Sequence, residues 1–396
     1  MKHVAPGLKI RNGRVLLPNG RIVRKNLLLA KGRIAGVGVV GRGGTVLDAA
    51  GAYVVPGLID IHTHGVGYES TNGSLKAYAE KEASRGTTTF YPSFFGPPGE
   101  TAEHMRRHLR ETDNLRALPQ IGGFRLESPY LNWAGGGVSK DLAPVSPATT
   151  RTLLKAGGGS IRLWDFSPEL PGATETIAAL SRSGIVCSLA HMRCTVDQAR
   201  HAVDAGARLV THLFDTFEQP RFTEPGVYPA GVVDYFLVED RITCEIIPDG
   251  THVNPLHVEK TFRCKPAERV VFVTDSNFGA GLPPGDYDLP QGWGRARISG
   301  ANNGVRVIER GLGLAGSALT PIDAFQNAIR LFGRDMATAS RLCSKNAADL
   351  LGLNKGEIVV GRDADLTILD SNLDVRHTIV GGSILFSRHE SGLGRP

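Results

Sequence analysis

The sequence predicts a (β/α)₈ TIM-type barrel carrying a small β-sandwich domain built from both ends of the chain. Three observations predict it. Eight short β-branched runs recur through the middle of the chain with helix-length segments between them. Both termini have a different, all-β texture. Metal-competent side chains gather at the ends of the runs.

The runs are GLIDIHTH (57–64), TTTFYPS (87–93), IGGFRLE (121–127), SIRLWDF (160–166), GIVCSLAH (184–191), ARLVTHL (207–213), RITCEII (241–247) and RVVFVTD (269–275). Segments such as SLKAYAEKEASRG, PATTRTLLKAG and TVDQARHAVDAG lie between them. Each closes on a glycine, the residue suited to a left-handed helix C-cap. Repeats of this kind favour a closed parallel barrel. An open doubly wound sheet is the alternative, but no G-x-G-x-x-G follows an early strand to support a dinucleotide-binding version of it.

At the N-terminal end, LKIRNGRVLL, RIVRKNLLLAKGRIAGVG and TVLDAAGAYVV read as short strands. Asn12-Gly13 and Lys31-Gly32 stand where hairpin turns would fall. The same texture returns in GEIVVGRDADLTILD and HTIVGGSILF. Residues 1–55 with 355–396 are therefore expected to form one small β domain, and residues 56–354 the barrel. After the eighth run, residues 276–300 read as a long loop near the barrel mouth, followed by a β excursion. Helical patterning resumes at TPIDAFQNAIRLFG and MATASRLCSKNAADLLG.

Composition narrows the function classes. The chain has 396 residues, 41% hydrophobic and 21% charged, enough for a barrel of about 250 residues and something smaller. Its formal charge of +6 suits an anionic substrate. No lysine-rich or aromatic-interleaved basic run points to nucleic acid. No stretch approaches about 18 continuous apolar residues, so no membrane span is expected. The five cysteines are scattered without a C-x-x-C pair, which excludes a disulfide framework or a zinc knuckle. The N-terminus lacks a signal-peptide apolar core, and a cytoplasmic location is expected.

Polar residues fall in a telling pattern. His62 and His64 end the first run, Glu127 the third, His191 the fifth and Asp275 the eighth, while His212 lies at the end of the sixth. In a parallel barrel these ends meet at one face, where such enzymes place their sites. Positions 62 and 64 are two apart on a strand, so their side chains share a side. A single strand-terminal histidine is more often structural. Six such groups at five strand ends form a set, and imidazole with carboxylate suits Zn²⁺ and related ions. His104, His108 and His201 lie on predicted helices, and His3, His377 and His389 near the termini; all six read as surface or satisfied positions. His252, in IIPDGTHV, stands close enough to reach a substrate.

The segment VPGLIDIHTHG (55–65) resembles the first-strand motif of the amidohydrolase superfamily, and NAADLLGLNKGEIVVGRDADLTILD (346–370) resembles that superfamily's return into its small β domain. Within it, the sequence is most similar to the N-acetylglucosamine-6-phosphate deacetylase family. RLESPYLN (125–132), THLFD (211–215), EPG (224–226), IIPDGTHV (246–253), VTD (273–275) and LAGSALT (314–320) carry that resemblance in order along nearly the whole chain.

The resemblance implies Glu127, His191 and His212 as principal metal ligands, with His62 and His64 for a second ion and Glu127 bridging. It implies Asp275 as acid/base and His252 as a substrate contact. One or two divalent metals are expected per chain, Zn²⁺ foremost, with Fe²⁺, Mn²⁺ or Co²⁺ as alternatives. The expected reaction is hydrolysis of an N-acetylated amino sugar or its 6-phosphate to amine and acetate, by a homodimer.

The departures from the family lie around this set. Asp215-Thr216 replaces Asn-Ala. Thr223 stands where an arginine holds phosphate, with Arg221 two residues earlier. Ser139 replaces a His or Gln, and Ser128 a Gly. His252, Ser139, Asp215, Thr216 and Arg221 are thus the candidate substrate-binding residues, and a carboxylate at 215 is unfavourable beside a phosphate. Rival readings are hydrolysis of another small N-acyl or cyclic amide, a nucleobase deaminase, and a non-enzymatic binding protein. The last predicts loss of ligands, and all six groups are in place.

Overall fold

The computed structural model describes residues 7–39, 44–137, 139–221 and 224–388. Every expected run is a strand: Leu58–Thr63, Thr87–Phe94, Phe124–Leu126, Ile161–Phe166, Val186–Leu189, Leu209–Val210, Thr243–Ile246 and Val270–Phe272. They form one sheet of eight in chain order, each pairing in parallel with the next. A parallel bridge between Thr63 and Ser276 brings the exit of the eighth strand onto the first. The Asp275 N–H donates to the His62 carbonyl at 2.8 Å beside it, and the barrel is closed.

Parallel strands covered by helices are apolar on both faces, and Thr87–Phe94 is buried at every position. A helix follows each strand, from Leu75–Ser84 after the first to Pro321–Arg330 after the eighth. Their starts are encoded locally. Ser74 and Thr195 accept from backbone N–H groups of the first turn, and Pro98, Pro147, Pro255 and Pro321 open helices where no N–H is needed. Beyond Pro321–Arg330, helix Met336–Ser340 passes through a π-helical turn, Arg341–Lys345, into Asn346–Leu350.

Strands from both ends of the chain share a second sheet of eight. Tyr53–Pro56 pairs antiparallel with Leu366–Leu369, which joins the two ends. Ile10, Val15, Leu27, Val54, Leu366 and Ile379 belong to its separate apolar core. The sheet meets the barrel where Gly57 donates to the Asp365 carbonyl and the Thr367 hydroxyl donates to the Gly86 carbonyl at 2.7 Å. Both contacts lie at the N-terminal ends of barrel strands, opposite the face carrying the polar cluster.

Two turn expectations part company. Lys31 and Gly32 form the hairpin turn, with φ of 51° and 74°. Asn12, at φ 57°, lies instead inside strand Leu8–Leu16, where the register against Ile22–Ala30 shifts between Ile10 and Gly13. An Asn-Gly pair supplies a left-handed residue followed by an unhindered one, which serves a bulge as well as a turn. The turn itself spans Leu17–Arg21, with Gly20 at φ 80°.

The 276–300 stretch is more ordered than a loop. Gly285–Leu289 and Gly294–Ile298 form a hairpin that Val305–Val307 and Gly313–Leu314 extend to four antiparallel strands. Phe278, Leu289, Ile298 and Val305 pack beneath it. Its tip leans over the barrel mouth.

Candidate active site

All six strand-end groups meet at the C-terminal mouth. His62 lies within the first strand, and His64 and Glu127 immediately follow theirs. His191, His212 and Asp275 sit two or three residues further on, with φ of 47°, 29° and 47°. On the loop after His212, Phe214 and Thr216 are also left-handed, at 81° and 57°. Non-glycine residues held there cost about 1–3 kcal/mol each, and the strain collects where side chains must turn inward.

Glu127 is the hub. Its Oε1 lies 3.0 Å from His191 Nε2 and 3.5 Å from His212 Nε2. Its Oε2 lies 2.9 Å from His64 Nε2 and 3.5 Å from His62 Nε2. Asp275 Oδ1 faces the second pair, 3.4 Å from His62 and 3.3 Å from His64. Two groups therefore have metal-ligand spacing, His62 with His64 and Glu127, and Glu127 with His191 and His212.

The opposite ring nitrogens show what this arrangement fits. Nδ1 of His64 faces the Ser93 carbonyl at 2.9 Å, that of His191 the Trp133 carbonyl at 3.0 Å, and that of His212 the Asp215 carbonyl at 3.2 Å. Carbonyls accept, so these Nδ1 atoms carry hydrogen and the Nε2 lone pairs point inward. Facing Nε2 atoms are only 3.3 Å apart in one pair and 3.1 Å in the other. Nitrogens so close together beside a carboxylate need positive charge between them, and the donor set of each cluster fits a divalent metal.

The electrostatics agree. Burial alone lowers the basicity of His64, yet Glu127 and Asp275 pull its pKa up to about 10. His212 behaves likewise, reaching about 10 through Glu127, Asp215 and Asp275. Burial raises Asp275, but His62 and His64 draw it down to about 2, and Glu127 falls well below the usual carboxylate range under the same histidines. The carboxylates stay charged and demand positive charge, from protons or from a metal.

Beneath the ligands lies a buried charge network that reading the sequence missed. Glu245 Oε2 is 3.3 Å from His62 Nδ1 and accepts the His212 backbone N–H at 3.4 Å. Arg125 donates to Glu245 Oε1 at 2.5 Å, to Asp165 Oδ2 at 2.9 Å and to the Ile61 carbonyl at 3.0 Å. The side chains of Arg125, Asp165 and Glu245 are 0% exposed. The signal was present: a charged residue in the middle of each of FRL, LWDF and TCEI, where a buried strand should be apolar.

Above the histidine–carboxylate cluster opens a cavity of about 510 Å³. His252, Asp215 and Thr216 line it, with Phe95 and Trp293 among its aromatic walls. His252 is held by Asp249, Nδ1 to Oδ2 at 2.6 Å, leaving Nε2 for a ligand. Trp133 Nε1 donates to the Thr216 carbonyl at 3.0 Å and ties two mouth loops together. Two candidates stand elsewhere. Ser139 is exposed and outside the cavity lining, and Arg221, 85% exposed, pairs with Glu218 at 2.8 Å. Thr223 lies outside the described residues. His104, read as a surface or satisfied position, lines the cavity, where Nδ1 meets Asn72 Oδ1 at 2.9 Å. His108 is buried with its Nε2 against the Thr71 carbonyl at 2.7 Å, the satisfied alternative, and burial lowers its pKa to about 4.

A parallel barrel with histidine and carboxylate side chains gathered at its strand ends is an arrangement suited to metal-assisted hydrolysis. The amidohydrolase family model matches residues 258–385. An N-acetylglucosamine-6-phosphate deacetylase of Lysinibacillus sphaericus is 28% identical, covering 95% of this chain and 97% of the relative. An N-acetylgalactosamine-6-phosphate deacetylase of Escherichia coli O157:H7 is 28% identical, covering 95% and 98%. The crystal structure of the N-acetyl-D-glucosamine-6-phosphate deacetylase of Mycobacterium smegmatis superposes with a TM-score of 0.82 at 27% identity, covering 96% of this chain and all of that one. The chain thus matches the amidohydrolase family model over residues 258–385 and is similar to N-acetylglucosamine-6-phosphate deacetylases along nearly its whole length.

Proposed function

We propose that the chain hydrolyses the amide of an N-acetylated amino sugar to the free amine and acetate. The observation that carries this reading is the convergence of four imidazole Nε2 atoms on the two oxygens of Glu127, with Asp275 at their edge. In this reading His62, His64 and Glu127 hold one divalent ion, and Glu127, His191 and His212 another. Zn²⁺ is the first candidate, by ligand type. When bound, the metal supplies an acidified water and a polarised amide carbonyl.

The chain's own groups do the rest. Asp275, charged and beside the His62–His64 pair, takes the water's proton. It then returns that proton to the departing nitrogen, so one carboxylate serves as base and then acid. His252, braced by Asp249, orients the acyl amide, and Asp215 and Thr216 contact the sugar. We further infer a homodimer, on the family resemblance, and a cytoplasmic location. Five free cysteines support the location, and no helix among the described residues is long and apolar enough to cross a membrane.

The test is acetate release, followed by proton NMR, from N-acetylglucosamine, N-acetylgalactosamine and their 6-phosphates with Zn²⁺-loaded protein. Turnover of at least one is expected. Turnover of none, with metal bound, would overturn the amino-sugar reading.

A further inference from the structure

In the cavity above the histidine–carboxylate cluster, acidic side chains outnumber basic ones. Outside the ligand set and Asp275, its charged lining residues are Glu100, Asp141 and Asp215 against Lys140 and Arg310. The three carboxylates outnumber the two cations. Arg310 donates through Nη1 to the Gly136 carbonyl at 2.9 Å. Lys140 and Glu100 both lie near enough to Asp141 to act on its carboxyl, the lysine lowering its pKa and the glutamate raising it. His252 is matched by Asp249. Arg221 points to Glu218, away from the cavity.

Asp215 lies near enough to His212 and His252 to act on both electrostatically, yet it pairs with neither. Among the described residues its carboxylate has neither an ion pair nor a hydrogen bond, although its backbone carbonyl faces His212 Nδ1 at 3.2 Å and accepts from the Thr216 hydroxyl at 2.7 Å. It therefore sits three residues from a metal-ligand candidate, on the cavity wall, with its acceptor oxygens uncommitted. A carboxylate so placed recognises a hydrogen-bond donor and repels an anion.

Building on the amide-hydrolase reading, we propose that Asp215 selects a substrate whose sugar presents a free hydroxyl at this wall, and selects against its phosphate ester. An uncharged N-acetylated amino sugar is then the preferred class. Thr216 turns its hydroxyl onto the Asp215 carbonyl, so of the two the carboxylate is the charged group that discriminates between a hydroxyl and its phosphate ester.

The experiment compares kcat/KM for N-acetylglucosamine and N-acetylglucosamine 6-phosphate, using metal-loaded wild type and Asp215→Asn. Wild type should favour the unphosphorylated sugar by about tenfold or more, and Asp215→Asn should cut that preference by about tenfold. The wild-type preference should also shrink as salt is raised. A wild-type preference for the phosphate ester would overturn the inference and leave the deacetylase reading standing, as would an unchanged ratio in Asp215→Asn. Turnover of neither sugar would remove both.

Discussion

The floor and the mouth of the barrel are built on different principles. On the floor, Glu127, four histidines and the Arg125–Glu245–Asp165 network are nearly or fully buried, and their polar atoms are matched to partners on neighbouring strands. At the mouth, Glu100, Lys140 and Arg310 are exposed, on the first turn of helix Pro98–Glu111, on the short helical turn Ser139–Asp141 and on the four-strand insertion respectively. Strand ends fix the chemistry and loops choose the substrate, a division that lets one scaffold serve many reactions. Changes to the floor should alter rate, metal content or stability. Changes to the mouth should alter which substrate is used.

The largest effect is expected at Asp275. Asp275→Asn keeps the shape and removes the proton carrier, and kcat should fall by about 10²–10⁴-fold while metal content by mass spectrometry stays at the wild-type value. A variant near wild-type kcat would move proton transfer to another group. Next comes Glu245→Gln, which breaks a fully buried ion pair and leaves Arg125 with Asp165 alone. Thermal unfolding should show a loss of about 3 kcal/mol, and metal affinity should fall as His62 loses its brace. Unchanged stability and affinity would show that the network is not needed to hold the ligands.

Trp293 tests the other region. Trp293→Ala, at the tip of the insertion, should raise KM by up to about tenfold with kcat and melting temperature little changed. A collapse of kcat would make the insertion part of the catalytic machinery. Arg221→Ala should be smallest, within about 0.5 kcal/mol of wild type in stability and with unchanged kcat/KM, since the side chain is 85% exposed and off the cavity. A selective loss with phosphorylated sugar would mean that Arg221 reaches a site from a second copy of the chain.

The same division explains what could be read from the sequence. Alternation of apolar runs and helices is a local signal, and it located all eight barrel strands. His62, His64, Glu127, His191, His212 and Asp275 were visible because they interrupt such runs at their ends. Glu245, Arg125 and Asp165 interrupt them in the middle, but their partners lie 40 to 120 residues apart in the chain, so their pairing is a product of closure alone. Asn12-Gly13 shows the converse limit, since one dipeptide conformation suits both a bulge and a turn. Ser139 and Arg221 were inferred from alignment with a motif, and loop geometry carried them away from the cavity.

The central claim is that the floor binds metal and that the metal is required to break the amide. It is tested most directly by titrating metal-free protein with Zn²⁺ while measuring bound metal and amine release together. The account predicts no activity without metal and a rise that levels off when two ions are bound per chain. Full activity in protein stripped of metal, or saturation with no metal bound at the Glu127 cluster, would contradict it.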